Sequence, residues 1–315
     1  MLKSLRHFGL RSDMKTSALV VKDNRMIEAC YTLDLIEQRI VLMALAWSRS
    51  HQIELTHDTW VELWADDYAA LYAVDLVTAY RQLRAACVSL QSREIKIRGK
   101  DHATGAPATY ISKWVNPAIY VDSLGLVRLR FDEMLVPYVS KLETQFTSYQ
   151  IGSVSALSST YAIRLYELLS QYKKIGRRTI SVGDLKQYLE CDSAAYDRMD
   201  NFKRRVVDIA VQQINQYTDL QVSYESEKMG RRVVGFCFDF QLKRLPPELQ
   251  SVSEKIGLQQ PAPLALSIAE NSMLKELSAL TGRSNVELLL EARAAVGEAE
   301  LFLWLDTQLK AAKTT

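Results

Sequence analysis

Asn201-Phe202-Lys203-Arg204-Arg205-Val206-Val207-Asp208-Ile209-Ala210 opens a stretch that runs on to Tyr217, and its reading decides the fold. At about 100° per residue, Phe202, Val206, Ile209, Ala210 and Tyr217 share one apolar face. Arg204, Arg205, Gln212 and Asn215 lie on the other side, and Lys203 sits at the flank on a stem long enough to reach out. Three cations in a first turn oppose the helix dipole, which favours acids there. Contact with phosphates or bases would compensate, and arginine can bond guanine twice. A solvated face, with Arg204 paired to Asp208 one turn on, would use the same letters.

Downstream, residues 220–225 and 232–240 alternate as strands and turn at Lys228-Met229-Gly230. Lys228, Arg231 and Arg232 at this tip suit phosphate contacts, which add salt-dependent affinity without sequence information, or simply solubilise the turn. Upstream, residues 182–189 read as a helix opened by Ser181 and Asp184, spaced as a capping-box variant. Residues 178–180 read as a short strand and 161–172 as a helix. Arg177 and Arg178 precede that strand and could join the basic surface or form an ordinary loop. Helix, short strand, helix, long helix, hairpin is the order of a winged helix, in which the third helix enters the major groove. Winged helices also serve as protein-interaction modules.

The same order occurs earlier. A helix over 35–49 precedes β-like Ile53-Glu54-Leu55, a polar-led helix over 58–68 and an amphipathic helix over 75–90. Strand-like 94–98 follows, then a long insertion, 99–125, and further strands over 110–115 and 126–131. Ile53 to Ile180 and Asp75 to Phe202 both span 127 residues, and Ile95 to Gln221 spans 126, which points to an internal duplication. On helix 75–90, Leu76, Tyr80, Leu83, Cys87 and Leu90 form the buried stripe. Thr78, Arg81, Gln82 and Ala85 lie opposite, with Arg84 on the flank, a mildly basic face that could read bases or be plain surface. Trp60, Trp64 and Trp114 read as core.

The expected fold class is α+β, two tandem winged-helix domains related by internal duplication, plus a helical C-terminal tail. The divisions are an N-terminal arm (1–22), domain 1 (23–140, dimerisation and DNA), domain 2 (141–245, main DNA-binding domain), a Pro-rich linker (246–265) and an acidic helical region (266–315). Pro246, Pro247, Pro261 and Pro263 mark the linker. In the tail, Ile268, Leu274, Leu277 and Leu280 suggest one helix, and Ser284 with Glu287 caps a second.

The 315 residues carry 39 Lys+Arg and 37 Asp+Glu, a net charge of only +2. That average hides a basic body, 33 cations against 28 acids over 1–245, and an acidic tail with 6 against 9. At 48% hydrophobic the chain has apolar material enough to exclude disorder throughout. Its apolar run 41–47 is far short of the roughly 20 residues a membrane span needs, and 1–10 lacks the apolar core of a secretion signal. Cys30, Cys87, Cys191 and Cys237 are scattered, which fits reduced thiols in a cytoplasmic protein and no zinc ribbon. GxxxxGK[ST] and GxSxG are absent, and His7, His51, His57 and His102 show neither HxH nor HExxH spacing. No catalytic residue, cofactor or metal is expected.

Three blocks carry a family resemblance: Asn24–Ala29 with Leu35–Arg39, Tyr161–Leu169, and Asn201–Asp208 continuing through Ile214-Asn215, Thr218-Asp219-Leu220, Tyr224-Glu225 and Lys228–Val233. Together they resemble plasmid replication initiators of the iteron-binding type. The resemblance implies two winged helices that bind directly repeated origin sequences, iterons, in double-stranded DNA as a monomer. It further implies a dimer that represses its own gene through an inverted-repeat operator, origin melting, and recruitment of the host replication initiator and replicative helicase. It places the protein in the bacterial cytoplasm, with the nucleoid or plasmid. Lys203, Arg204 and Arg205 match the family's basic start of the second recognition helix. The competing readings are a winged-helix transcription repressor without a replication role and a DNA nuclease or recombinase.

Overall fold

The computed structural model describes residues 14–101, 103–140, 145–191 and 194–243, together with 276, 277, 308 and 310. The expected linker and the capped tail helices lie outside the described residues. The chain divides into two compact units, 1–243 and 244–315. The first unit holds two domains, each combining helices with an antiparallel sheet.

Domain 1 begins with β1 (Leu19–Asp23) and α1 (Asn24–Ile27). Residues 19–22, assigned from sequence to an arm, are therefore part of the fold: β1 pairs antiparallel with β7 (Phe146–Gln150). The central helix α2 (Leu35–Ser50) starts at a full Asp34/Glu37 capping box, and Ile40 through Trp47 are all buried. A helix apolar on every side belongs in the middle of a core, and α2 packs against β1, β2 (Val61–Trp64) and α4 (Leu76–Leu90). Between β2 and α4 lies α3 (Ala65–Tyr72). After α4 come β3 (Glu94–Lys100), β4 (Pro107–Lys113), β5 (Val115–Val121) and β6 (Leu126–Phe131). The short helices α5 (Val136–Val139) and α6 (Gly152–Ser155) flank β7.

Domain 2 runs α7 (Thr160–Ser170), β8 (Arg177–Ser181), α8 (Val182–Tyr188), α9 (Met199–Phe202), a π-helical turn Lys203–Val207, α10 (Asp208–Tyr217), β9 (Leu220–Met229) and β10 (Arg232–Leu242). Ser181 caps α8 by accepting from the Asp184 amide at 3.0 Å and donates to the Asp184 carboxylate at 2.7 Å. The sheet order is β8-β10-β9 here and β2-β6-β5 in domain 1, all antiparallel. Both domains therefore carry a winged helix.

The pairing corrects three sequence expectations. Ile53-Glu54-Leu55 is not a strand, because Thr59 donates to the Glu54 carbonyl at 3.2 Å and accepts from the Thr56 amide at 2.9 Å, folding the segment into a turn. The strand is β2, where Val61 and Leu63 alternate inward, and the helix expected over 58–68 begins only at Ala65. Trp64 thus corresponds to Ser181, an offset of 117 residues, whereas the ends of the third helices, Leu90 and Tyr217, are 127 apart. Finally, β3 is not the counterpart of β9. The strand that pairs with β2 is β6, as β10 pairs with β8, so the wing of domain 1 is β5–β6 and β3–β4 is an added hairpin.

The two domains meet along α7. Lys22 donates to Glu167 at 2.6 Å with both side chains buried, and Tyr149 donates to the same carboxylate. Arg164, also buried, bonds the Tyr31 hydroxyl, the Ala29 carbonyl at 2.7 Å and the Tyr188 carbonyl at 2.8 Å. A buried pair of this kind tolerates the loss of one member badly, because the other charge is left without solvent.

Candidate nucleic-acid interface

The third helix of domain 2 exposes Lys203, Arg204 and Arg205 together. A π turn covers Lys203–Val207, and Val206 and Val207 are buried side by side within it. The extra residue shifts the apolar stripe by one position for the rest of the helix. The buried set becomes Phe202, Val206, Val207, Ala210, Val211, Ile214 and Thr218. Ile209 and Tyr217, assigned from periodicity to the core face, are instead exposed at 39% and 46%. Asn215 turns inward, and its amide brackets the backbone of Val222 at 2.7 and 2.6 Å. The doublets Val206-Val207 and Ala210-Val211 are the sequence signal that an uninterrupted helical wheel passes over.

The Arg204–Asp208 pair is not formed. Asp208 accepts from the Tyr224 hydroxyl on β9, and burial together with this bond raises the tyrosine's pKa above its ordinary value. Lys203 lies 5.5 Å from the centre of the Tyr224 ring. Among the described residues, none of Lys203, Arg204 or Arg205 has an ion pair, and Gln212 is exposed beside them. At the wing, Gly230 takes φ +62° at the first position of a two-residue loop, the place where a mirror-image hairpin turn calls for glycine. Lys228, Arg231 and Arg232 around it are exposed and form no ion pair among the described residues.

The remaining sequence candidates divide. Arg177 is exposed but held by two bonds to Asp239 across the β8–β10 ladder, at 2.6 and 2.9 Å, which raises its pKa. Arg178 does not join the basic surface. It is buried, donates to the Leu168 carbonyl at 2.7 Å and pairs with Glu28 of domain 1 at 2.6 Å, so it serves the seam between domains. In domain 1, Arg81 and Arg84 are exposed on α4 and Thr78 is half-buried. Arg84 is tied to Asp122 of the wing at 3.2 Å. Leu76, expected in the stripe, is 43% exposed, and Val77, Ala85 and Val88 share the outer face with Arg81. They line a surface groove of about 580 Å³ with Tyr80, Tyr120 and Asp122. Trp114 is buried, whereas Trp60 is half-buried under Arg130. Among the described residues no three His, Cys, Asp or Glu side chains converge as a metal site, and no helix is long and apolar enough to cross a membrane.

Comparison with known proteins agrees with this architecture. Residues 19–170 match the family described as Initiator Replication protein, WH1, and residues 181–240 match Initiator Rep protein, WH2. The PI protein of Escherichia coli is 27% identical over 259 residues, covering 72% of this chain and 84% of that protein. A 27.6 kDa protein of Escherichia coli is 23% identical over 220 residues, covering 67% and 91%. The crystal structure of Pi initiator protein in complex with iteron DNA superposes with a TM-score of 0.60 at 24% identity, over 73% of this chain and all (100%) of that one, and shares the fold. With both winged helices matched in order, the chain belongs to the Rep family of plasmid replication initiators.

Proposed function

We propose that this protein initiates plasmid replication by binding iteron repeats in double-stranded DNA, with the third helix of domain 2 in the major groove and the β9–β10 wing on the flanking backbone. The observation that carries the reading is the set of exposed, unpaired cations at 203–205 and 228–232, on the two elements with which a winged helix approaches DNA. Lys203, Arg204, Arg205 and Gln212 are the groove residues; Lys228, Arg231 and Arg232 hold phosphates. Domain 1 adds Arg81, with Thr78 and Arg84 beside it. In this reading the two domains, joined along α7, are two readers on neighbouring turns of one duplex.

The same reading extends to melting of the origin, recruitment of the host initiator and replicative helicase, and repression of the protein's own gene by a dimer on an inverted repeat. It makes the protein a binding protein of the bacterial cytoplasm with no catalytic step. The DNA complex of Pi, a protein of the same fold, supports the iteron assignment. Footprinting the full chain on DNA flanking its gene tests it: protected direct repeats and loss of plasmid maintenance on deletion are expected. Protection of an operator alone, with maintenance intact, would make the protein a repressor. Cleavage of supercoiled origin DNA by pure protein with Mg²⁺ would make it a nuclease.

A further inference from the structure

Ile209 and, at the helix end, Tyr217 are carried out of the core after the π turn, and Ile209 is the aliphatic one. It sits near the middle of the third helix, 39% exposed, with exposed Arg205 one turn before it and exposed Gln212 one turn after. Isolated exposed apolar residues are common on protein surfaces. This one stands on a face otherwise made of Lys203, Arg204, Arg205, Asp208, Gln212 and Gln216. Its acidic neighbour, Asp208, is already engaged by the Tyr224 hydroxyl. In the major groove each base pair presents donors and acceptors, and the thymine C5-methyl is the apolar feature among them.

We propose that Ile209 is a specificity-determining residue that packs on the methyl group of one thymine in the recognised sequence. The inference rests on the proposed placement of this helix in the major groove and adds a residue that charge cannot supply. A cation reads guanine or phosphate, and an isoleucine distinguishes thymine from cytosine and from uracil by contact alone.

The test begins with the full chain selecting duplexes from random-sequence DNA. The selected consensus is then resynthesised with each thymine replaced singly by uracil, which removes the methyl and keeps the base pair. One position should lose about fourfold in affinity, the factor for one buried methyl-sized group. Ile209→Ala should bind thymine and uracil equally at that position, whereas Ile209→Val, which keeps a branched apolar end, should still discriminate. A flat uracil scan with the unaltered protein would overturn the assignment, as would undiminished discrimination by Ile209→Ala. If no consensus is selected at all, the groove placement itself falls; a clear consensus with a flat scan leaves that placement standing and removes Ile209 alone.

Discussion

The two wings of this molecule share a topology and differ in posture. In domain 1 the turn between β5 and β6 is folded against its own third helix. Gly125 lies so close to α4 that an added Cβ would stand 1.9 Å from the Tyr80 ring, and its carbonyl accepts from the Ala65 amide at 2.9 Å. Asp122 holds Arg84 at 3.2 Å, and Arg84 lies 5.9 Å from the centre of the Tyr120 ring. In domain 2 a Cβ added at Gly230 would meet nothing within 4 Å, and the cations around it form no ion pair among the described residues. One wing has spent its polar contacts on the fold, and the other leaves its cations exposed. The difference teaches that a repeated motif need not mean repeated duty: order of elements sets the scaffold, and pairing of charges decides which copy is available.

The two copies act as one body only while the seam along α7 holds. Glu167→Ala would leave the Lys22 ammonium buried without its partner, at a cost of about 3–5 kcal/mol in urea unfolding. The variant should also unfold in two separable transitions. A loss below about 1 kcal/mol, with one transition, would mean that water reaches the seam and that the pair contributes little there.

Next in size is the contrast between the wing glycines. Both have positive φ, +61° at Gly125 and +62° at Gly230, where an alanine costs about 1–2 kcal/mol. At Gly125 the Tyr80 ring must also move, adding roughly 1–3 kcal/mol of overpacking. Gly125→Ala should therefore lower stability clearly more than Gly230→Ala in parallel denaturation curves. Equal losses would show that the first wing lifts off α4 easily, and the difference in posture would lose its meaning.

Much of this was legible in the letters. Ser181 with Asp184, and Asp75, mark helix starts because capping chemistry is local, and β6 coincides with the expected strand over 126–131 because its apolar residues alternate. What periodicity missed depends on one residue or on distant partners. A π turn changes the phase of a helix without changing its composition, so Ile209 reads as core and proves exposed. Arg178 looks like Arg177 in sequence. Its fate is set by Glu28, 150 residues away, which local reasoning cannot see.

The third helices differ as the wings do, one face charged and the other more apolar. Arg204→Ala and Arg205→Ala should each weaken binding to the selected sequence by about 1–3 kcal/mol if they read bases, and far less to random duplex. Arg81→Ala, on the more apolar face of α4, should cost less than either. If Arg81→Ala proved the costlier substitution, the first copy would be the principal reader and the ranking of the two domains would reverse.

The smallest effect separates wing from helix. Arg231→Ala and Arg232→Ala should weaken binding to all sequences alike, because phosphate contacts carry no base information. Each should also reduce the slope of log affinity against log salt by about 1. Titrations at several salt concentrations, on selected and random duplexes side by side, measure both quantities. A changed slope with unchanged specificity places these arginines on the backbone. Selective loss for the chosen sequence would instead put the wing tip in a groove, where Gly230 and its open surroundings would be the reason it fits.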